Sequence, residues 1–251
     1  MKYGEVYTKK LKNSFSNLGQ SGELKIINIM NMLQDIAVEY AIKLKISSND
    51  LAHKHLFWVI SRYQIEIHNV PKLNENLLLS IHRKAHKKLY DLRWFKIITE
   101  NNKEIVNALG AWVIINKKTG SPRHLTEFMT ETMLCENTTD VKQFFNNLKI
   151  LHNTDYQKNF KIRINDLDLN KHVNNAIYVE WAIEALSEDI LNNFSIKKIN
   201  ITYLKESFYP GEIISKAQIN HLGIHLETYH SIIEKNKGLE LARVNIIWKS
   251  L

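Results

Sequence analysis

Residues 166–178 read Asp-Leu-Asp-Leu-Asn-Lys-His-Val-Asn-Asn-Ala-Ile-Tyr, a polar run that leads directly into an apolar segment. Three side chains of catalytic type alternate with other residues in this run: Asp168, Asn170 and His172. If the backbone is extended there, a carboxylate, an amide and an imidazole project to the same side. Asp and Asn also make turns and cap helices, so the triplet alone leaves a turn and an active site equally open.

The residues after His172 predict the start of a helix. Asn174 or Asn175 suits the N-cap position, and a run of apolar and aromatic residues follows, so we predict a buried helix over residues 174–191. The N-terminus of a helix presents backbone N–H groups that carry partial positive charge. The N–H groups of Val173 and Asn174 are therefore our candidates for binding an oxyanion.

The first half of the chain shows a helix followed by strands. Between residues 26 and 44 apolar residues recur at three- and four-residue spacing, which predicts a largely buried helix. Apolar runs separated by turn residues predict strands at residues 5–11 before that helix and at 57–68, 76–85, 89–99 and 104–116 after it. In the run 57–68, alternation places Val59, Tyr63 and Ile65 on one face and Ile60 on the other.

The second half of the chain repeats this order of elements. It opens with a predicted strand at residues 156–164, which leads through the polar run to the helix 174–191. Further strands are predicted at residues 196–207, 212–221, 225–234 and 239–249. The repetition indicates an internal duplication. We therefore divide the chain into a first domain at residues 1–130, a connecting segment at 131–150 and a second domain at 151–251.

The composition is that of an ordinary globular protein, with 44% hydrophobic and 24% charged residues in a chain of 251. The single cysteine, Cys135, excludes an intramolecular disulfide and a multi-cysteine metal site, which favours a reducing, cytoplasmic location. No apolar run approaches the roughly 18 residues that span a bilayer, so we expect no stable membrane insertion. The net charge of +8 favours an acidic partner, but the positive residues are scattered, which argues against nucleic acid.

The run 166–175, together with Tyr178, Trp181 and Glu184, resembles the signature of acyl-acyl carrier protein thioesterases of the plant and bacterial type. Members of this family release fatty acids and consist of two hot-dog domains. The resemblance implies an α+β fold with two hot-dog domains in tandem, each a long central helix wrapped by a curved antiparallel β-sheet. The order of elements by itself also permits other α+β arrangements.

The resemblance also implies a catalytic site. Asp168, Asn170 and His172 match the catalytic loop of the family, and Glu206 matches a functional Glu on the strand after the second helix. In the family a Cys often follows that Glu, but here the next residue is Ser207, so a thiol nucleophile is not expected. We expect water to attack the thioester carbonyl, with Asp168 or Glu206 as general base or orienting the water. His172 would assist proton transfer or polarise the carbonyl, and Asn170 would position the water or a neighbouring side chain. Neither a cofactor nor a metal is expected.

The function implied by the resemblance is hydrolysis of fatty acyl-acyl carrier protein, which releases free fatty acid and ends chain elongation. The acyl carrier protein is then the partner, and we expect the chain to be a monomer or a homodimer. Residues 17–22 occupy the matching position in the first half but contain neither Asp nor His, so that half is expected to shape the acyl tunnel. The alternatives are an acyl-CoA thioesterase on the same fold and a non-catalytic acyl-binding module.

Overall fold

Two units make up the chain, Met1–Asn146 and Asn147–Leu251. The computed structural model describes residues 5–20, 22–129, 144–222 and 225–251, and Cys135 lies outside them. Each unit contains an antiparallel β-sheet and a helix that contacts it, so the protein is of the predicted α+β class. None of the helices in the described residues is long and apolar enough to cross a membrane.

In its described residues, the first unit has one long helix and six strands. Helix α1 spans Ile26–Lys43, which confirms the helix predicted from the apolar spacing, and Ile29, Leu33 and Ile36 on its buried face are 0% exposed. A helix of four residues, α2, spans Ser48–Leu51. The strands pair antiparallel in the order β1-β3-β4-β5-β2, with β6 beside β5. Their bounds are β1 Tyr7–Lys12, β2 Leu56–Ile67, β3 Asn76–Lys87, β4 Tyr90–Thr99, β5 Glu104–Asn116 and β6 Pro122–Arg123.

Strand β2 contains a bulge that changes which of its residues are buried. The register between β2 and β5 shifts between Ile60 and Arg62. Ile60, Tyr63 and Ile65 are buried, whereas Val59 is only partly buried. The predicted face of Val59, Tyr63 and Ile65 is therefore wrong at Val59, because the extra residue in a bulge moves the side chains before it to the opposite face from those after it.

The second unit has an antiparallel sheet in the order β8-β11-β10-β9-β7. Helix α3 spans Asn175–Ile183 and contacts β9, β10 and β11. Residues 176–179 are all buried, so the first turn of α3 is enclosed on every side, as its composition predicts. The strands are β7 Tyr156–Lys161, β8 Phe194–Tyr203, β9 Glu212–Leu222, β10 His225–Glu234 and β11 Leu239–Ser250.

The helix predicted over residues 174–191 is interrupted. Helix α3 ends at Ile183, and a separate helix, α4, spans Glu188–Asn193. Ser187 precedes α4 with an extended backbone, and the first turn of α4 carries Glu188 and Asp189. Ser before a helix and acidic residues in its first turn both favour a new helix N-terminus at this point. The expectation of one long central helix is therefore wrong for the second unit.

The end of the connecting segment contacts the sheet of the second unit. The Arg243 side chain donates a hydrogen bond of 3.5 Å to the Leu148 carbonyl, and the Lys149 ammonium lies 5.2 Å from the centre of the Tyr229 ring. The Asp155 N–H donates to the Ala217 carbonyl at 2.8 Å. Residues 148–155 are thus tied to β9, β10 and β11 before β7 begins.

The loops that precede α1 and α3 have the same backbone pattern. Each loop begins with a 3-10 turn, and an isolated β-bridge between two residues then closes a tight turn. The N–H of the last loop residue donates to the carbonyl of the last residue of the 3-10 turn. A left-handed residue stands at the same place in both, Gly22 with φ 79° and Lys171 with φ 64°. The matching features are the bridges Leu18↔Leu24 and Leu167↔Val173 and the hydrogen bonds Lys25 N–H to Asn17 O and Asn174 N–H to Asp166 O. The internal duplication predicted from the order of elements therefore extends to the loop that carries the candidate catalytic residues.

Candidate active site

Residues 168–172 form a tight turn rather than the extended run that would place alternate side chains on one side. The Asp168 N–H donates to the His172 carbonyl at 2.7 Å, and the Lys171 N–H donates to the Asp168 carbonyl at 3.0 Å. The Asp168 Oδ1 accepts the N–H groups of Asn170 at 2.8 Å and His172 at 3.0 Å. A short carboxylate side chain can satisfy two turn amides in this way, which is why Asp favours such turns. The expectation of an extended backbone here is wrong.

His172 and Glu206 are brought together. The His172 Nδ1 lies 3.6 Å from the Glu206 Oε1, and their side chains are 25% and 40% exposed. The bridge between His172 and Phe208 holds the turn against the segment that follows β8, and the His172 ring meets the Phe208 ring edge-on at 4.9 Å. The contact joins two loops that are distant in the sequence, so it depends on the pairing of His172 with Phe208. Each side chain remains partly open to solvent, where a substrate can reach it.

Glu206 reaches His172 from beyond the end of a strand. Strand β8 ends at Tyr203, whereas the sequence predicts a strand that continues to Ser207. The N–H groups of Leu204 and Lys205 both donate to the Leu241 carbonyl, at 2.8 and 3.1 Å, which closes the ladder at this point. The strand prediction is therefore too long, and Glu206 lies in the irregular segment after β8, 3.6 Å from His172.

The two backbone N–H groups predicted to bind an oxyanion both donate to carbonyls of the chain. The Val173 N–H donates to the Ser207 carbonyl at 3.0 Å, and the Asn174 N–H donates to the Asp166 carbonyl at 2.8 Å. The prediction that these two N–H groups bind an oxyanion is therefore wrong, because carbonyls of the chain already accept both of them. Asn174 is the N-cap of α3, as one of the two predicted alternatives, and its side chain accepts the Ala176 N–H at 3.0 Å. In the described residues, the Asn175 N–H at the start of α3 has no hydrogen-bond acceptor.

Asn170 and Ser207 make no side-chain hydrogen bond to His172 or Glu206 in the described residues. Asn170 is exposed at the tip of the turn, and its side chain makes no hydrogen bond to any described residue. Ser207 is 5% exposed, and its carbonyl accepts the Val173 N–H. Its hydroxyl makes no hydrogen bond to His172 in the part of the chain that the structure describes, so the geometry gives Ser207 no base to activate it.

Asp166, the first residue of the quoted run, anchors the start of the loop. It is 1% exposed, and its carboxylate accepts the Arg163 N–H at 2.8 Å and the Arg163 guanidinium at 2.8 and 2.9 Å. All of these bonds stay within one short segment. Asp166 therefore holds the 3-10 turn that leads into the site and has no oxygen directed at His172.

Tyr178 belongs to the site, although the sequence analysis assigned it no role. It is 2% exposed, and its ring meets the Tyr203 ring edge-on at 5.7 Å. Burial raises the pKa of Tyr178, with smaller contributions in the same direction from Glu206 and Asp168, and a hydrogen bond with the Ser207 backbone opposes them. The Tyr178 hydroxyl therefore keeps its proton at neutral pH. The available signal was its position in helix α3, four residues after the N-cap Asn174, which places it over the start of the helix.

The described residues contain no group of three or more His, Cys, Asp or Glu side chains able to hold a metal ion. The site is thus an arrangement of one imidazole, two carboxylates and a buried hydroxyl beside a helix N-terminus. Such an arrangement can move a proton between water and a leaving group and can stabilise the imidazolium that forms in between.

The family comparison matches nearly the whole chain. The family described as acyl-ACP thioesterase N-terminal domain matches residues 4–133, and the one described as acyl-ACP thioesterase C-terminal domain matches residues 150–250. Among curated proteins, the chain is 24% identical to oleoyl-acyl carrier protein thioesterase 2, chloroplastic, of Arabidopsis thaliana, with 86% of this chain and 67% of that protein covered. It is 23% identical to the palmitoyl-acyl carrier protein thioesterase, chloroplastic, of Gossypium hirsutum, with 98% and 64% covered. The chain thus spans about two thirds of the length of these plant relatives.

Solved structures show the same fold. The 12:0-ACP thioesterase from Umbellularia californica superimposes with a TM-score of 0.86 at 18% identity, over 98% of this chain and 94% of that chain. An acyl-ACP thioesterase from Bacteroides thetaiotaomicron superimposes with a TM-score of 0.83 at 20% identity, over 97% and 98%. The likeness covers both units, and the fold of this chain is the double hot-dog predicted from the sequence.

Proposed function

This chain belongs to the acyl-ACP thioesterase family, and on that premise we propose that it hydrolyses the thioester of a fatty acyl-acyl carrier protein. Water adds across the bond between the carbonyl carbon and sulfur, and the products are a free fatty acid and the carrier thiol. Release of the acid would end elongation of that acyl chain. The acyl carrier protein is therefore the proposed partner.

The contact between His172 and Glu206 is the observation that carries this proposal. Hydrolysis needs a base to take a proton from water as it attacks the carbonyl carbon, and an acid to protonate the sulfur as the C–S bond breaks. We assign both steps to His172. Glu206, 3.6 Å from the His172 Nδ1, would stabilise the imidazolium formed between them. Asp168 would hold the turn that presents His172, since its Oδ1 accepts the His172 N–H.

Two further groups complete the proposed site. The Asn175 N–H is our candidate for stabilising the negative charge on the carbonyl oxygen, because the N–H groups of Val173 and Asn174 are already used by the chain. Asn170, exposed at the tip of the turn, is proposed to position the attacking water or a polar group of the substrate.

The first unit is proposed to bind the acyl chain rather than to perform chemistry. In its matching loop, Gly19 and Glu23 stand where the second unit has Asp168 and His172, since each pair is joined by the same N–H to carbonyl bond. The loop therefore keeps the backbone of the site but has no imidazole, and a glycine stands at the place of Asp168. A long buried helix, α1, supplies the apolar surface that an acyl chain requires.

The test is a turnover assay on purified protein. The same acyl group is presented on acyl carrier protein, on CoA and on pantetheine, and release of free thiol and free fatty acid is measured. We expect hydrolysis of the carrier substrate, and a fall in kcat of at least about a hundredfold in His172→Ala and Glu206→Gln, with unchanged Tm. Glu184→Gln is the matched control, because that carboxylate pairs with Lys158 on the surface.

Each other outcome contradicts a defined part of the proposal. Faster hydrolysis of the CoA substrate than of the carrier substrate would favour an acyl-CoA thioesterase. Binding of acyl groups without turnover would favour a non-catalytic acyl-binding module. Full activity in folded His172→Ala would remove His172 from the mechanism.

A further inference from the structure

Three large apolar side chains are exposed beside the His172–Glu206 contact. Leu169, at the tip of the 168–172 turn, is 104% exposed, and Phe208 and Tyr209 are 53% and 50% exposed. The bridge between His172 and Phe208 sets the turn antiparallel to the segment 207–209, so the tip of the turn extends toward Tyr209. Exposed apolar residues scattered singly need no explanation, but a cluster around a reactive pair is typical of a binding surface.

The charges that face outward from this cluster are positive. The carboxylates of the same two loops are turned to partners: Asp166 to Arg163, Asp168 to backbone amides, and Glu206 to His172. Lys171 and Lys205 are exposed, and neither has an ion-pair partner among the described residues. Each lysine directly precedes one member of the His172–Glu206 pair in the chain, so the two loops that form this contact each carry one exposed lysine.

We propose that this rim, formed by Leu169, Lys171, Lys205, Phe208 and Tyr209, is the surface on which an acidic carrier protein docks to deliver its thioester to His172. The inference rests on the proposed function and deepens it. It assigns binding of the carrier protein to a defined surface instead of to the scattered positive charge of the whole chain. Apolar contact with basic residues around it matches the composition of protein interfaces, and the unpaired lysines complement a partner that is rich in carboxylates. A small thioester needs no such surface, so the rim affects only substrates that carry the protein.

The central experiment reverses the charge of the rim and compares it with an equal change elsewhere. Lys171→Glu/Lys205→Glu is measured beside Lys117→Glu/Lys118→Glu, two exposed lysines in the turn after β5. Both double variants change the net charge equally, so long-range attraction is matched between them. We expect kcat/KM for acyl carrier protein to fall on the order of tenfold or more in the rim variant and by less than about twofold in the control. The kcat/KM for acyl-pantetheine should stay unchanged in both.

A second pair of variants tests the apolar part of the rim. Leu169→Ser removes the most exposed apolar side chain, and Ile150→Ser removes another exposed one, 60% exposed, outside the rim. Phe208 is left intact because its ring contacts His172. We expect Leu169→Ser to weaken binding of the carrier protein several-fold, measured as Kd with holo carrier protein that bears no acyl group, and Ile150→Ser to leave that Kd unchanged.

The outcomes separate the docking surface from the proposed function. If the wild type hydrolyses acyl-pantetheine but the two double variants lose carrier activity equally, the rim is not the docking surface and the hydrolase assignment stands. If the rim variant loses activity on both substrates, its lysines act in catalysis and the docking proposal is overturned. If no thioester is hydrolysed, the proposed function fails, while a tenfold weaker Kd for the carrier in the rim variant would still support the docking surface.

Discussion

The Asp168 carboxylate has a structural task that is visible without any substrate. One of its oxygens accepts two backbone N–H groups, those of Asn170 and His172, and these bonds close the turn that presents the imidazole. A carboxylate in a catalytic signature is easily taken for a base. The same side chain holds the shape of the loop and belongs to the proposed site. Substitution by Ala alone would therefore not distinguish a loss of loop structure from a loss of chemistry.

Two substitutions at Asp168 separate its charge from its hydrogen bonds. Asp168→Asn keeps an oxygen that can accept both N–H groups, so its free energy of unfolding should stay within about 0.5 kcal/mol of wild type, while Asp168→Ala should lose about 1–2 kcal/mol. A fall in kcat in Asp168→Asn would then report the charge. Urea unfolding and turnover on acyl-pantetheine give the two measurements.

The control for Asp168 is Asp155, whose Oδ2 accepts the Ile219 N–H at 2.7 Å outside the site. Asp155→Ala should lose stability in the same range without a change in kcat. If Asp168→Ala unfolds like wild type, the turn does not depend on the carboxylate.

Tyr178 positions the site from inside helix α3. Burial raises the pKa of its hydroxyl, the charges of Glu206 and Asp168 act in the same direction, and the Ser207 backbone acts against them. Tyr178→Phe keeps the ring and its contact with Tyr203 but removes the buried hydroxyl. We expect kcat to fall by about tenfold or more with little change in KM, because the buried hydroxyl no longer helps to align the reacting groups.

Tyr229→Phe is the matched control for Tyr178. Burial and Glu227 raise the pKa of the Tyr229 hydroxyl on β10, outside the site. Loss of that hydroxyl should leave kcat unchanged. Equal effects of the two substitutions would show that the loss in Tyr178→Phe is a general loss of stability.

At the scale of elements, strands β3 and β4 carry a buried ionic cluster in the first unit. Asp91 is 0% exposed and accepts hydrogen bonds from Arg83 at 2.6 Å and Arg93 at 2.8 Å. The Arg93 guanidinium also lies 4.7 Å from the ring centres of Trp58 and Trp112. Burial by itself raises the pKa of Asp91, but the two arginines outweigh it and hold that pKa below its ordinary value. Asp91 is therefore charged, and it compensates buried cations.

Asp91→Asn should destabilise the protein by about 3–5 kcal/mol, because it leaves two buried guanidinium groups without their carboxylate. Glu104→Gln is the control, since Glu104 pairs with Lys96 at the surface, and it should cost less than about 1 kcal/mol. Urea unfolding at pH 7 measures both. A wild-type midpoint in Asp91→Asn would mean that the arginines are compensated by other groups.

At the scale of the whole molecule, resistance to acid depends on a histidine outside the site. His230 on β10 is 1% exposed, its Nε2 lies 2.8 Å from the Thr228 Oγ1, and its Nδ1 has no hydrogen-bond partner in the described residues. Burial lowers the pKa of His230 from 6.5 to about 3. The folded chain therefore keeps this imidazole neutral at pH values where the unfolded chain protonates it.

The sign of the pH dependence follows from this difference. Below pH 6.5 the unfolded state binds a proton that the folded state does not, so His230 costs stability as pH falls from 6.5 toward 3. Between pH 7.5 and 5.0 the loss from this group should be about 2 kcal/mol. His230→Leu should remove that part of the slope, measured as the difference from wild type in urea unfolding across this range.

His152→Gln, which replaces an exposed histidine, is the control for loss of a histidine as such. The wild-type reference is needed because burial also lowers the pKa of His82, which contributes in the same direction in both proteins. A slope in His230→Leu equal to that of wild type would mean that His230 is protonated in the folded chain.

The local spacing of apolar residues was sufficient to predict most of the helices and strands. Apolar spacing predicted a helix over residues 26–44, and α1 spans Ile26–Lys43. Apolar runs between turn residues predicted β5 and β10 at their observed bounds. Such patterns report which face of an element is buried, and burial of that face is what stabilises the element. They also predicted that Asn174 or Asn175 would cap α3, since capping depends only on adjacent residues.

The sequence alone determined the duplicated order of elements, the capped helix and the residue types of the site. Only the tertiary structure decided which of those residues meet. The Val173 N–H is used by Ser207, and Glu206 approaches His172 because His172 pairs with Phe208. These pairings join residues more than thirty positions apart, and no local period encodes them. The bulge in β2 has the same origin, because it is set by the register with β5 rather than by the alternation within the strand.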